Sequence, residues 1–358
     1  MARPAFARPT IAGMTGYAPG EQPASGTRIV KLNTNENPYP PSPAVMAAIA
    51  AVAPGALQRY PDPVANEFRD VAASRHGVKR ENILAGNGSD DILTIAIRTF
   101  VAPGATIAYP DPTYSLYPVL AKLQDARVVE VPWRDGWALP GEALVAAGPS
   151  LTFVANPNSP SGTFVDPAEL AELATKVPGV LLVDEAYADF AGDDCVRLVA
   201  DHPNVIVSRS LSKGYALAGL RFGYCIADAA LVEQMLKVKD SYNTDAISIA
   251  AATAALRDAD YAERTWADVR NERERMAAEL ARLGFDVLPS RANFLLATTP
   301  PTPLTANAER LYHALKQRNI LIRWFDTPHL ADKLRITVGT PDENESVLSA
   351  LRGMMSDE

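Results

Sequence analysis

Cysteine is all but absent: Cys195 and Cys225 are the only two in 358 residues. They form no metal-type spacing, and Cys225 falls in an apolar run resembling a strand. Both read as buried thiols of a protein kept in a reducing cytoplasm. Histidine is scarce as well. His76, His202, His313 and His329 are scattered with no His-Glu-x-x-His pattern, so a catalytic zinc is not expected and no metal is assigned. No apolar run approaches the roughly 20 residues that span a bilayer, so no membrane partner is expected. Lys and Arg form no block and the net charge is −8. Nucleic acid is therefore not an expected partner, because phosphate-backbone binding needs clustered cations. The first 20 residues carry Arg3 and Arg8 but are broken by prolines and lack a signal-peptide core, which leaves a flexible N-terminal arm.

What the chain does have is one dense stretch, Ser210-Leu211-Ser212-Lys213 running into Gly214-Tyr215-Ala216-Leu217-Ala218-Gly219-Leu220-Arg221. A lysine amine attacks aldehydes only when unprotonated, and neighbouring positive charge lowers its pKa toward that state. Two hydroxyls and an arginine beside it suit a phosphate. An aldehyde bearing a phosphate satisfies both halves, and pyridoxal 5′-phosphate (PLP) is such a molecule. Taken alone, Ser210-x-x-Lys213 also fits a serine acyl-enzyme pattern, but the Ser-Asp-Asn and Lys-Thr-Gly partners of that pattern do not occur.

From about residue 80 to 226, short apolar runs (106–109, 127–131, 151–155, 180–183, 205–208, 222–226) alternate with amphipathic stretches (91–100, 113–123, 167–176). Several runs are continuous, as in strands buried on both faces of a mostly parallel sheet flanked by helices. The rhythm is α/β. An alanine-rich helix is expected over 246–256 and a long helix over 261–283. A smaller C-terminal unit then reads strand 294–297, helix 308–318, strand 320–324, strand 334–338 and helix 343–354. The division expected is an arm (1–34), a large domain (35–258) and a small α/β domain (259–358). In Leu334-Arg335-Ile336-Thr337-Val338, period-two alternation puts Arg335 opposite the core residues, toward solvent or into a cleft.

A PLP site needs further parts, each with a candidate. Asp184 closes a buried run and faces the ligand crevice of an open sheet, where it would pair with the pyridine nitrogen; a helix cap is the alternative. Tyr187, three residues on, and Asn158 in the turn Asn156-Pro157-Asn158-Ser159-Pro160-Ser161-Gly162-Thr163 could hydrogen-bond the ring's phenolic oxygen. Gly86-Asn87-Gly88-Ser89-Asp90-Asp91 opens a helix near Ile92 and offers backbone N–H groups to a phosphate, or is a plain cap. Tyr114 could stack on the ring or sit in the core.

These motifs, together with Asn35-Glu36-Asn37-Pro38, Arg59-Tyr60-Pro61-Asp62, Tyr17-Ala18-Pro19-Gly20-Glu21 and Lys239-Asp240-Ser241-Tyr242-Asn243, resemble the fold-type I PLP-dependent aminotransferases almost end to end. Within that family they are most similar to the histidinol-phosphate aminotransferases of histidine biosynthesis. The resemblance implies that Lys213 forms the Schiff base and shuttles the proton, with Asp184, Tyr187 and Asn158 in the roles above. Gly88, Ser89, Asp90, Ser210, Ser212 and Arg221 would hold the cofactor phosphate, and Tyr114 its ring face. Tyr60 would reach the PLP of a neighbouring subunit, making the unit a homodimer. Arg335, helped by Arg323, Tyr17 and Asn37, would bind the anionic group of the substrate. The implied reaction is a ping-pong exchange between L-histidinol phosphate and 2-oxoglutarate, giving imidazole acetol phosphate and glutamate. Two departures stand out: Pro40 replaces a more usual glycine in a loop expected near the substrate, and Asp91 replaces a more usual Glu.

Other fold-type I enzymes, acting on aromatic amino acids or decarboxylating threonine phosphate, would share the same PLP residues. A PLP-sensing regulator would need an N-terminal DNA-binding domain, for which residues 1–31 are too few.

Overall fold

In the computed structural model, residues 6–18, 20–23, 29–133, 135–301 and 307–356 are described. Pro19 and part of the expected N-terminal arm lie outside them.

Among these residues a short helix, Pro9–Gly13, comes first, then a short strand β1 (Val30–Lys31), and beyond further helices a seven-stranded sheet. Its strands are β2 (Ile83–Gly86), β3 (Thr106–Asp111), β4 (Arg127–Pro132), β5 (Leu151–Ala155), β6 (Val180–Asp184), β7 (Val205–Ser210) and β8 (Gly223–Ala227). The spatial order is β2-β8-β7-β6-β5-β3-β4. Strand β8 runs antiparallel to both neighbours, and the rest of the sheet is parallel.

The continuous apolar runs are explained by two-sided burial. Leu181 and Val183 of β6 join one core cluster while Val180 and Leu182 join another on the opposite face. The helix Pro167–Lys176 covers the first face, and Ser89–Phe100 covers the second. The former starts at Pro167 because Asp166 accepts a hydrogen bond from Ala168 N and the proline fits the first turn.

Two sequence expectations fail here. The helix expected over 113–123 begins only at Tyr117, because residues 112–116 form the turn that carries Tyr114 to the site. Strand β2 was not anticipated, since its Ile-Leu-Ala-Gly is short and lacks β-branched bulk beyond Ile83.

The helices Ala246–Arg257 and Ala259–Arg282 lead to a second, four-stranded antiparallel sheet. It is built from β9 (Asp286–Val287), β10 (Phe294–Thr298), β12 (Arg323–Trp324) and β13 (Lys333–Thr337), in the order β12-β13-β10-β9. The strand expected over 320–324 is in fact two. Strand β11 (Ile320–Leu321) pairs with β1, and β12 pairs with β13. Ile322 between them is buried, so the chain turns from one partner to the other without exposing the apolar run. The register sets Arg323 directly beside Arg335.

Behind the carboxyl ends of β6 and β7 lies a charged cluster. Arg209 bonds Asp194 at 2.7 Å and lies 3.3 Å from Glu185 and 3.6 Å from Asp189. Glu185 and Arg209 are sequence neighbours of Asp184 and Ser210. Period-two alternation therefore turns the cluster away from the face those two residues serve.

Candidate functional site

A cavity of about 660 Å³ opens where the parallel strands end, bounded on its far side by the four-stranded sheet. Most of the expected residues line it: Tyr17, Ser89, Asp90, Tyr114, Asp184, Tyr187, Ser210, Ser212, Lys213, Arg221, Arg323 and Arg335.

Lys213 Nζ donates to the Thr34 carbonyl at 2.8 Å. Burial, helped by the positive charges of Arg335, Arg221 and Lys31 and opposed by Glu36, lowers its pKa to about 8. A large fraction of the amine is thus neutral at mildly alkaline pH, as attack on an aldehyde requires.

Asp184, at the carboxyl end of β6, is 4% exposed and is pushed up to about 6 by burial. Tyr117 donates to its Oδ2 at 2.8 Å, and Ala186 N lies 3.3 Å from Oδ1. Tyr187 Oη accepts from Asn35 Nδ2 at 2.9 Å.

The anion cradle forms where the helix Ser89–Phe100 begins. Gly88, its cap, has φ of 85°, and a Cβ there would lie 2.7 Å from the Arg221 guanidinium. Glycine is what lets Arg221 close over the helix start. Arg221 also donates to Ser212 Oγ at 3.2 Å. The Asp90 carboxylate is engaged by Arg221 at 3.4 Å and by the Tyr114 hydroxyl at 3.2 Å. What Asp90 offers an anion is therefore its backbone N–H in the first helical turn, not its side chain.

Arg335 donates to Ser159 Oγ at 3.1 Å and to the Asn33 carbonyl at 2.9 Å, while its buried Nε has no partner. Phe294 and Phe325 lie 5.4 and 5.5 Å from its guanidinium. The cleft, not solvent, is where the alternation in β13 sends this side chain. A half-buried arginine with a free, buried donor, flanked on the sheet by Arg323, is built to receive an oxyanion.

Several expected residues stand elsewhere. Asn158 is fully buried and does not line the cavity: its amide donates to Ser161 Oγ and the Pro112 carbonyl, and its oxygen accepts from Thr113. It braces the turn, and the neighbouring Ser159 is the residue the turn presents.

Asn37 likewise does not line this cavity. Its amide holds the carbonyls of Lys213 and Gly214 at 3.0 and 3.1 Å. Pro40 lies with it beside a separate small cavity, so the loop expected near the substrate does not border the main one at these residues. Tyr60 is 80% exposed and does not line this chain's cavity.

Sequence reasoning missed Asn35, which lines the cavity and bonds both Tyr187 and Thr337. The signal was the Asn-Glu-Asn-Pro motif itself. What it could not show is the φ of 56° at Asn35, a conformation asparagine tolerates, which separates the directions of the two asparagines. Asp91, the other departure, is bonded by Asn87 N and Asn243 Nδ2, both at 2.9 Å.

The residues fit a phosphate-bearing aldehyde with a ring nitrogen. They supply a glycine-gated cradle for the phosphate, a lysine with depressed pKa for the aldehyde and a buried carboxylate for the nitrogen.

Comparison with known proteins agrees. A family model for aminotransferase class I and II matches residues 27–351. Histidinol-phosphate aminotransferase 1 of Nostoc sp. is 49% identical over 350 residues, covering 98% of this chain and 98% of that protein. The histidinol-phosphate aminotransferase of Rhodopirellula baltica is 46% identical over 352 residues, covering 97% and 95%. The crystal structure of the Sinorhizobium meliloti histidinol-phosphate aminotransferase in complex with pyridoxal-5′-phosphate superposes with a TM-score of 0.89 at 27% identity, covering 99% of this chain and 98% of that one. With its family model spanning most of the sequence and its relatives aligned along nearly all of it, the chain belongs to the aminotransferase class I and II family.

Proposed function

We infer that this chain is a PLP-dependent transaminase that moves an amino group between L-histidinol phosphate and 2-oxoglutarate, a step of histidine biosynthesis. The near full-length likeness to histidinol-phosphate aminotransferases carries the substrate. In the structure, the observation that supports it is Arg335 with its unpartnered Nε in the same cavity as Lys213.

Bound in this cavity, PLP supplies a reactive aldehyde and a ring that withdraws electrons from the substrate carbon. The chain's residues do the rest. Ser210, Ser212, Arg221 and the backbone at Gly88, Ser89 and Asp90 hold the phosphate, and Tyr114 covers the ring. Asp184, ionised above about pH 6, holds a proton on the ring nitrogen. Tyr187 and Ser159 serve the phenolic side. Lys213 Nζ takes the proton from the substrate carbon and returns it on the other side of the exchange. Arg335, with Arg323 and Tyr17, grips the phosphate of histidinol phosphate in one half-reaction and a carboxylate of glutamate in the other. Assays that pair 2-oxoglutarate with histidinol phosphate, phenylalanine or threonine phosphate test this reading. Histidinol phosphate should have the highest kcat/KM, and a clear preference for phenylalanine would sink it.

The homodimer is part of the same proposal. Tyr60 stacks on Tyr242 with ring centroids 4.2 Å apart, and Leu57 nearby is 60% exposed. Such an apolar, aromatic surface suits burial against a second copy, where Tyr60 would reach the partner's cofactor phosphate. Mixing K213A and Y60A chains tests it. Each alone should be impaired, and the hybrid should recover activity, because one of its sites then has both groups intact. No recovery would place Tyr60's role within its own chain or nowhere near the site.

The division at residue 258, supported by a separate sheet on either side, is also a proposal; proteolytic fragments ending well away from that point would count against it. Among the described residues no helix is long and apolar enough to cross a membrane. A cytoplasmic location accords with two buried, unpaired thiols, and cell fractionation checks it.

A further inference from the structure

Tyr117 entered none of the roles above, yet it makes the shortest hydrogen bond to the Asp184 carboxylate. It is the first residue of the helix Tyr117–Leu123 and has no exposed surface. Its ring stacks on Phe153, with centroids 4.6 Å apart and planes 13° from parallel, and meets Tyr114 edge-on at 5.6 Å. Three aromatic contacts, counting Tyr109 at 5.7 Å, leave the ring little freedom. The hydroxyl is thereby aimed at one oxygen of one carboxylate.

Burial and the charges of Asp184 and neighbouring phenols keep the Tyr117 hydroxyl protonated far beyond the usual tyrosine range. It can only donate to the carboxylate. Asp184 needs such a donor. Burial and the charge of Asp90 favour its neutral form; the Tyr117 hydrogen bond and the weaker one from Ala186 N oppose them. The phenols of Tyr114 and Tyr187 also interact electrostatically with Asp184. No lysine or arginine makes an ion pair with it among the described residues.

We propose that Tyr117 is the positioning residue of Asp184, its hydroxyl occupying Oδ2 and holding the carboxylate ionised and oriented so that Oδ1 is left for the cofactor's ring nitrogen. The proposal rests on the reading of the cavity as a PLP site. Tyr114 and Tyr117 would then divide the work on one turn, the first covering the ring and the second setting the carboxylate beneath it.

The test removes one oxygen. In Y117F the ring, its stacking and the fold are retained, while Asp184 loses its main donor and its charge becomes harder to maintain. Affinity of the apo-protein for PLP, measured by equilibrium titration from about pH 5 to about pH 8, should fall about tenfold near neutrality, as for loss of a hydrogen bond to a charged group. Its decline on acidification should move to higher pH by about one unit. The sign follows from the carboxylate: the charged form binds the ring nitrogen, and a raised pKa means that form is lost earlier as pH falls.

F153L serves as a packing control; it should lower thermal stability without moving the acid limb. In a D184N background the Y117F change should have no further effect on PLP affinity. An acid limb unmoved in Y117F, or an equal loss of affinity with and without the Asp184 carboxylate, would overturn the proposal. Failure of the wild-type protein to bind PLP would instead overturn the reading on which it rests.

Discussion

Lys213→Ala should abolish transamination, lowering kcat by at least about 10⁴-fold, because it removes both the covalent attachment point and the group that moves the substrate proton. The protein should remain folded. Lys213 Nζ makes one hydrogen bond, to the Thr34 carbonyl, while its backbone is held separately by Asn37. It should also still take up PLP, since the phosphate cradle and Asp184 are untouched, but without the visible absorbance of a lysine-bound aldehyde. Absorbance spectra and circular dichroism check both halves. The wild-type amine adds a pH signature. Its pKa is lowered to about 8, so the neutral, nucleophilic form gains as pH rises through that value, and the rate of PLP capture by the apo-protein should rise with it and then level off. Turnover unchanged in K213A would overturn the assignment of the site.

Arg335→Ala should harm both half-reactions, lowering kcat/KM about 10²- to 10³-fold for histidinol phosphate and for glutamate alike. The guanidinium is held from two sides, by Ser159 and the Asn33 carbonyl, and its Nε is free. Phe294 and Phe325 flank the guanidinium at 5.4 and 5.5 Å, and its Nε is buried. An oxyanion that enters meets a desolvated, oriented donor, which is worth far more than the same charge on a surface. Arg335→Lys keeps the charge but loses the planar fork, so it should recover only part of the loss. Separate single-turnover measurements of the two half-reactions distinguish the outcomes. A defect confined to histidinol phosphate would show that glutamate binds elsewhere.

Much of this was legible in the sequence because the chemistry demands residue types that are rare together. The reactive lysine among hydroxyls, the carboxylate after a continuous apolar run and the glycines before a helix are each local patterns. The strands carrying them had to be apolar throughout, since both sheet faces are covered. What escaped depended on direction instead of type. In the turn from Asn156 to Thr163, Asn158 and Ser159 are adjacent polar residues, and only backbone geometry decides that the asparagine braces the turn while the serine faces the cavity. Asn35 and not Asn37 faces the cavity for the same reason, with the left-handed backbone at Asn35 turning it toward Tyr187. Tyr117 lies in no motif that the sequence singles out. Nothing in a sequence tells that its hydroxyl ends 2.8 Å from Asp184. The break at Ile322 was hidden because the apolar run from Ile320 to Ile322 passes through the switch of partner with no glycine, proline or other turn residue to mark it.

The central claim is that this cavity carries amino groups from histidinol phosphate. The most direct measurement mixes PLP-loaded protein with L-histidinol phosphate in the absence of any keto acid and follows the cofactor spectrum through a single turnover. The account predicts rapid, stoichiometric loss of the visible band, restored on adding 2-oxoglutarate with release of glutamate. A spectrum unmoved by histidinol phosphate, in a preparation that phenylalanine or threonine phosphate does convert, would contradict it.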